Sequence, residues 1–393
     1  MVQKKLSIIP QAIPNLKGNE IRYLKKCINT GFVASSGTFL NKFKKKISDV
    51  SGGGYVTLTS SGSSAIHTSL LALSIKEGNM IFVPSYTFIA TANAIKLSGA
   101  EPFFVDIKKD TLNIDENLIE KIIKEKCYFK KNGNLIYKKN KKIISAIMPV
   151  FTLGMPANMN KLKAICKKYN LKLIVDAACA IGSQYKNYKL NEMGADLSIL
   201  SFNANKIITS GGGGAIISKK KSLYKLTEYY SSNSKKYKNK YIFDDIGFNH
   251  RMNNIQAAVG LAQIELLNFF LNKKKYIKNF YDQSLKKEIM LKYITKLPFK
   301  RDRKSSNWLS GYLINHKYEK LKNYLNNNNI QCEDFWKPCH LQKPYLKSQK
   351  SSMKITNSIW KKILILPSST NIKDNDLKKI VSKIKIFYNK KLT

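Results

Sequence analysis

At 393 residues, with 43% hydrophobic and 11% aromatic side chains, the chain can bury a sizeable core, which excludes a disordered polymer and predicts two structural domains in one unit. The formal net charge of +44 is nearly all lysine, with arginine only at Arg22, Arg251, Arg301 and Arg303. Nucleic-acid sites lean on arginine's flat, two-pronged donors, so scattered lysines read as solvated surface and no nucleic-acid partner is expected.

The opening stretch MVQKKLSIIPQAIPNLKGNE lacks the long apolar centre of a secretory leader, which reads as cytoplasmic. No apolar run approaches the roughly 20 residues of a membrane span, so no membrane association is expected. Six well-separated cysteines without a CxxC pair read as reduced thiols, and no metal site is expected.

From about residue 55 to 220 short apolar runs alternate with helical patterns. The runs are YVTLTS, MIFVPS, EPFFVDI, KIISAIMPVF, LKLIVDA, DLSILSF and GAIIS, and the segments between them carry apolar residues at three-and-four spacing. Strands apolar throughout and joined by helices predict a mostly parallel sheet buried on both faces, hence a three-layer α/β/α domain. The lysine-rich segment 126–142 interrupts the alternation and reads as a polar surface hairpin. From Asn253 or Asn254, either of which can cap it, NNIQAAVGLAQIELLNFFLNKKKYIKNFYDQSLKK reads as one long helix. It leads from a large domain, 1–270, into a smaller C-terminal α/β domain, 271–393.

Three features at strand ends carry chemistry. In SSGSSAIHTSLLAL a strand meets a helix through Ser60, Ser61, Gly62, Ser63 and Ser64, where free N–H groups and hydroxyls suit one phosphate. A plain serine-rich helix cap is the alternative, and GxxxxGK[ST] is absent. Asp176 closes the apolar strand LIVD, where a carboxylate needs a cation such as a protonated pyridine nitrogen. Lys206 stands ahead of Gly211 to Gly214, and glycines let backbone approach a flat ring. A phosphate cup, a carboxylate for a ring nitrogen and an amine for an aldehyde together specify pyridoxal 5'-phosphate.

The sequence resembles the DegT-type nucleotide-sugar aminotransferases, a branch of the fold-type I pyridoxal-phosphate enzymes. The likeness spans nearly the whole chain through GFVASSGTFLNKF, SGSSAIHTSLLAL, PSYTFIATANAIKLSGAEPFFVDI, PVFTLGMPANM, VDAACAIGS, SFNANKIITSGGGGAI and GFNHRMNNIQAAVGLAQIE. The stretch FWKPCHLQKPY is similar to a segment of the UDP-4-amino-4,6-dideoxy-N-acetyl sugar transaminases.

The resemblance implies that Lys206 forms the Schiff base and carries protons, while Asp176 holds the pyridine nitrogen. Phe88 would stack on the ring, and Gly62, Ser63 and Ser201 would bind the phosphate. Cys179 would lie beside the cofactor hydroxyl, where relatives usually carry Gln, Glu or His. Asn249 and Arg251 match a segment that reaches a neighbouring subunit's cofactor, so a homodimer is implied. Ser35, Ser36, Asn203, Trp336, Lys337 and His340, with Arg251, are the implied substrate contacts. Ser63 stands for a usual threonine and FTLG for a frequent HLYG. The implied reaction moves an amino group from glutamate to a nucleotide-linked 4-keto-6-deoxy sugar, of the UDP-N-acetyl type. A pyridoxal-dependent sugar dehydratase, and a non-catalytic regulatory or nucleic-acid-binding protein on the same scaffold, are the alternatives.

Overall fold

The computed structural model describes residues 8–237, 240–297 and 300–389; part of the N-terminal stretch read for a leader, residues 1–7, lies outside them. Two helices, α1 (Glu20–Thr30) and α2 (Thr38–Ser51), precede the sheet. There follow β1 (Tyr55–Thr59), α3 (Gly62–Ala72), β2 (Asn79–Pro84), α4 (Ile89–Leu97), β3 (Glu101–Val105) and α5 (Glu116–Lys126). Next come β4 (Cys127–Phe129), β5 (Leu135–Tyr137), β6 (Ile143–Ile147), α6 (Met159–Lys168), β7 (Lys172–Asp176) and the short β8 (Gln184–Tyr185). β9 (Leu197–Ser201), β10 (Gly214–Ser218) and α7 (Lys221–Ser231) complete this part.

The main sheet runs β1-β10-β9-β7-β6-β2-β3, and along this path β10 alone runs against its neighbours. Alternate residues of each strand feed two separate cores. Phe82 and Phe103 point into one, with Phe43, Ile119, Leu162 and Leu261 from the covering helices. Ile81, Val83 and Phe104 point into the other, with Ile66 and Leu70 of α3 and Ile95 of α4. Both faces are covered, so these strands need apolar side chains at every position. Each such side chain contributes about 1.5–3 kcal/mol when fully buried. The parallel strands and β1 end on one edge, and that edge positions the site.

The segment 126–142 is a hairpin, but not a wholly polar one. Lys130 and Asn134 bracket the turn and Gly133 takes φ 78° there. β5 also pairs with β6, so Leu135, Ile136 and Tyr137 are buried and extend the main sheet. The lysines dominate the composition of the segment, yet its inner strand obeys the core.

The expected long helix is two. Asn253 caps α8 (Asn254–Glu265) in a reciprocal pair with Gln256, and α9 (Leu267–Ser284) follows directly. Between them Leu266 takes ψ 9°, off the helical value, and bonds back in a tighter three-residue turn to Gln263. Leu267 and Phe270 belong to the large core, whereas Ile277 and Tyr281 belong to the small one, so the division expected at 270/271 falls inside α9.

After α10 (Lys286–Met290) the chain forms β11 (Ile294–Lys296), β12 (Arg303–Lys304), β13 (Ser310–Ile314), α11 (Tyr318–Asn327), β14 (Glu333–Asp334), α12 (Lys354–Ile359), β15 (Ile363–Leu366) and α13 (Asp374–Asn389). β12 pairs with β8, while β11-β13-β15-β14 form a small antiparallel sheet. Among the described residues no helix is long and apolar enough to cross a membrane.

Replacing the exposed Lys130, Lys131, Lys138 and Lys139 together by Gln is expected to leave turnover within about two-fold, as surface changes usually are. By contrast, Ile136→Ala should cost about 2–4 kcal/mol in denaturant unfolding, because it empties a buried site.

Candidate active site

The phosphate-binding candidates meet where β1 turns into α3. Ser61 caps the helix by accepting from Ser64 N at 3.0 Å, which leaves the Gly62 and Ser63 N–H groups without a partner inside the helix. A Cβ on Gly62 would lie 2.8 Å from Ser201 Cβ and 3.0 Å from Ser201 Oγ, so only glycine lets the turn sit against the end of β9. Ser61, Gly62, Ser63 and Ser201 line one end of a cavity of about 300 Å³.

Asp176 lines the same cavity at the end of β7 and is 4% exposed. Its Oδ2 accepts from Thr91 Oγ1 at 2.8 Å and its Oδ1 from the Ala178 N–H at 3.1 Å. Burial pushes the carboxyl up from its ordinary value, while the two donors and the Lys206 ammonium pull it down. A cationic ring N–H against its remaining lone pairs would hold it ionised.

Lys206 follows β9 in a turn closed by its own N–H to Asn203 O at 3.0 Å. Its Nζ lies 3.1 Å from Cys179 Sγ and 4.2 Å from the centre of the Trp308 ring. Burial pushes the Cys179 thiol up, and the neighbouring ammonium works against that. Phe88 is half exposed, lines the cavity, and lies 6.2 Å from Trp336 between ring centres.

The glycine run serves packing as much as any ring. Gly212 and Gly213 line the cavity, and Gly211 and Gly213 adopt positive φ. A Cβ on Gly214 would come within 2.5 Å of Ser61 O, so this glycine lets β10 press on the turn before α3.

Gly62, Ser63, Phe88, Asp176, Cys179, Ser201, Asn203, Lys206 and Trp336 therefore meet in one cavity. They fit pyridoxal phosphate. A helix N-terminus with a glycine-only approach suits the phosphate, a buried carboxylate suits the ring nitrogen, and an amine stands within the same walls.

Other candidates lie elsewhere. His340 is buried, with Nδ1 2.6 Å from Ser85 Oγ and Nε2 3.1 Å from Asn357 Oδ1, so both nitrogens are engaged inside the chain and it does not line the cavity. Lys337 is exposed outside the cavity. Ser35 and Ser36 sit in the loop between α1 and α2. Asn249 and Arg251 are exposed beside β1, joined by Arg251 Nε to Asn249 Oδ1 at 3.4 Å. None of these four lines the cavity of its own chain.

Thr91 and Trp308 went unread in the sequence. Thr91 sits three residues after Phe88, in the first turn of α4, where the helical period returns it to the same side; that spacing was an available signal. Trp308 arrives from just before β13 and packs in the large core, and nothing local to RKSSNWLSGY announces it.

The profile of the DegT/DnrJ/EryC1/StrS aminotransferase family matches residues 14–385. A GDP-perosamine synthase of Escherichia coli O157:H7 is 31% identical over 388 residues, covering 98% of this chain and 100% of the relative. A UDP-4-amino-4,6-dideoxy-N-acetyl-beta-L-altrosamine transaminase of Campylobacter jejuni subsp. jejuni serotype O:23/36 is 32% identical over 303 residues, covering 76% of this chain and 75% of the relative. Among solved structures, NtdA from Bacillus subtilis with bound cofactor PMP superposes with a TM-score of 0.81 at 26% identity, covering 98% of this chain and 86% of that one.

Asp176→Asn keeps the shape of the side chain and removes the charge. With a cation opposite it, kcat should fall by about 10²- to 10³-fold, the ~3–4 kcal/mol expected when one partner of a buried pair is lost. Steady-state kinetics within about three-fold of the parent would rule that pairing out.

Proposed function

We propose that this chain, which belongs to the DegT/DnrJ/EryC1/StrS aminotransferase family, moves an amino group from glutamate to a UDP-linked, N-acetylated 4-keto-6-deoxy sugar to give a 4-amino sugar. The family is pyridoxal-phosphate-dependent, and the chain is an aminotransferase of nucleotide sugars. The observation that carries the reading is the convergence of Lys206, Asp176 and the N-terminus of α3 on one cavity.

When bound, pyridoxal phosphate supplies an aldehyde carbon that holds the nitrogen in transit and a ring that takes up the electron pair left by C–H cleavage. The first-turn N–H groups at Gly62 and Ser63, with the Ser201 hydroxyl, would hold the phosphate. Asp176 would accept the ring N–H and keep that nitrogen protonated. Phe88, at the mouth of the cavity, would help hold the ring. Lys206 Nζ would hold the aldehyde and, when free, would be the base that takes and returns the proton of the amino donor's α-carbon. Cys179 Sγ, 3.1 Å from that Nζ, is the nearest polar neighbour of the moving amine named in this site.

Asn249 and Arg251 are exposed and outside their own cavity, which supports the reading of a homodimer in which they would contact the partner's site. Ser35 and Ser36 join them as contacts offered to a partner-held substrate. A dehydratase of this family would carry histidine in place of Lys206, and a scaffold that had lost catalysis would have no need of the intact cavity.

The UDP-N-acetyl assignment rests on the FWKPCHLQKPY stretch, whose Trp336 lines the cavity, and on the likeness to the Campylobacter transaminase. A GDP-linked keto sugar is the second reading, favoured by full-length similarity to a GDP-perosamine synthase.

Borohydride reduction of the loaded protein should leave one pyridoxyl label, found by peptide mass spectrometry on Lys206 and abolished by Lys206→Ala; a label on any other lysine would overturn the assignment. Incubation with glutamate and UDP-, GDP- and dTDP-linked 4-keto-6-deoxy sugars should give a 4-amino product by mass from the UDP-N-acetyl substrate. Product from the GDP sugar alone would select the second reading.

A further inference from the structure

Lys274 stands on α9 and is 4% exposed. Its Nζ donates to two main-chain carbonyls, Trp308 O at 2.7 Å and Ser368 O at 2.6 Å. Burial lowers this amine to about 7. A desolvated amine is a poor way to stabilise a core, since a well-packed apolar side chain of similar volume does as well or better. Its two bonds instead tie the segment before β13 and the segment after β15 to one helix.

The first of those segments reaches the active site. Trp308 is buried, its Nε1 donates to Asn205 O at 2.6 Å, and its ring lies 4.2 Å from Lys206 Nζ. Asn205 immediately precedes Lys206. A small polar cleft behind this turn is lined by Asn205, Lys206, Gln263 and Lys274 together. Lys274, the Trp308 carbonyl, the Trp308 indole and the Lys206 turn therefore form one continuous chain of contacts.

We propose that Lys274 is a positioning residue for Lys206: by fixing the main chain of Trp308 it sets the indole that confines the Lys206 amine to the Cys179 side of the cavity. The indole face stabilises the ammonium and blocks its swing away from Cys179. The freed amine then moves its proton along one path. This rests on the amine-transfer role given to Lys206, and the test separates the two.

Full-length protein loaded with pyridoxal phosphate is prepared as Lys274→Met, as Trp308→Phe, and with both changes. Three quantities are read: exchange of the glutamate α-hydrogen with solvent deuterium, borohydride labelling of Lys206, and Tm. Each single change should slow exchange about ten-fold, in keeping with the cost of a small misplacement of a reacting group, with the label still on Lys206. The double variant should be no slower than the slower single, because both changes cut the same connection. Losses that multiply to about a hundred-fold, or a lowered Tm with exchange unchanged, would overturn the proposal. Should Lys274→Met not fold, Lys274→Gln, whose amide donates from a shorter arm, carries the same cycle against Trp308→Phe. A missing label on Lys206 in the unaltered protein would sink the reading of Lys206 itself and would be distinguished at that step.

Discussion

A carboxylate at the buried end of a central strand is the constraint from which the site is built. Asp176 is nearly inaccessible and its two in-chain donors, Thr91 and the Ala178 N–H, leave lone pairs facing the cavity. An ion kept out of water in this way is costly unless a positive partner meets it. The parallel order of β9, β7, β6 and β2 brings the other chemical groups to the same edge. The helix start after β1, the lysine after β9 and the acid on β7 share one cavity because their strands share one direction. In the role proposed, that geometry places an amine and a carboxylate at opposite requirements of one ligand.

Much of this arrangement was legible in the chain. Unbroken apolar strands alternating with helices demand two covered faces, and the two cores on either side of Phe82 and Ile81 satisfy that demand. Gly62, Asp176 and Lys206 were visible because each breaks a local rule at a strand end: a residue without a side chain, a buried charge, an amine entering a glycine run. Trp308 and Lys274 were not visible. Their importance comes from contacts across more than 30 residues of sequence, and neither breaks a local rule.

His340 has partners its surroundings did not announce. Its place in FWKPCHLQKPY invited a substrate role, and Ser85 and Asn357 engage both ring nitrogens, fastening the turn at Cys339–Leu341 between the residue after β2 and α12. The lysine-rich hairpin is a similar case. Composition described its exposed turn, while register with β6 decided the fate of Ile136. In both cases the identity of a residue was read correctly and its partner was not, since a partner distant in sequence leaves no periodic trace.

α9 carries a consequence for the whole molecule. Its first turn is embedded with the large sheet and its later turns with the small one. A helix rooted in two interiors cannot unravel in either without stripping the other. Disorder begun in one interior is therefore expected to travel to the other along this shared rod.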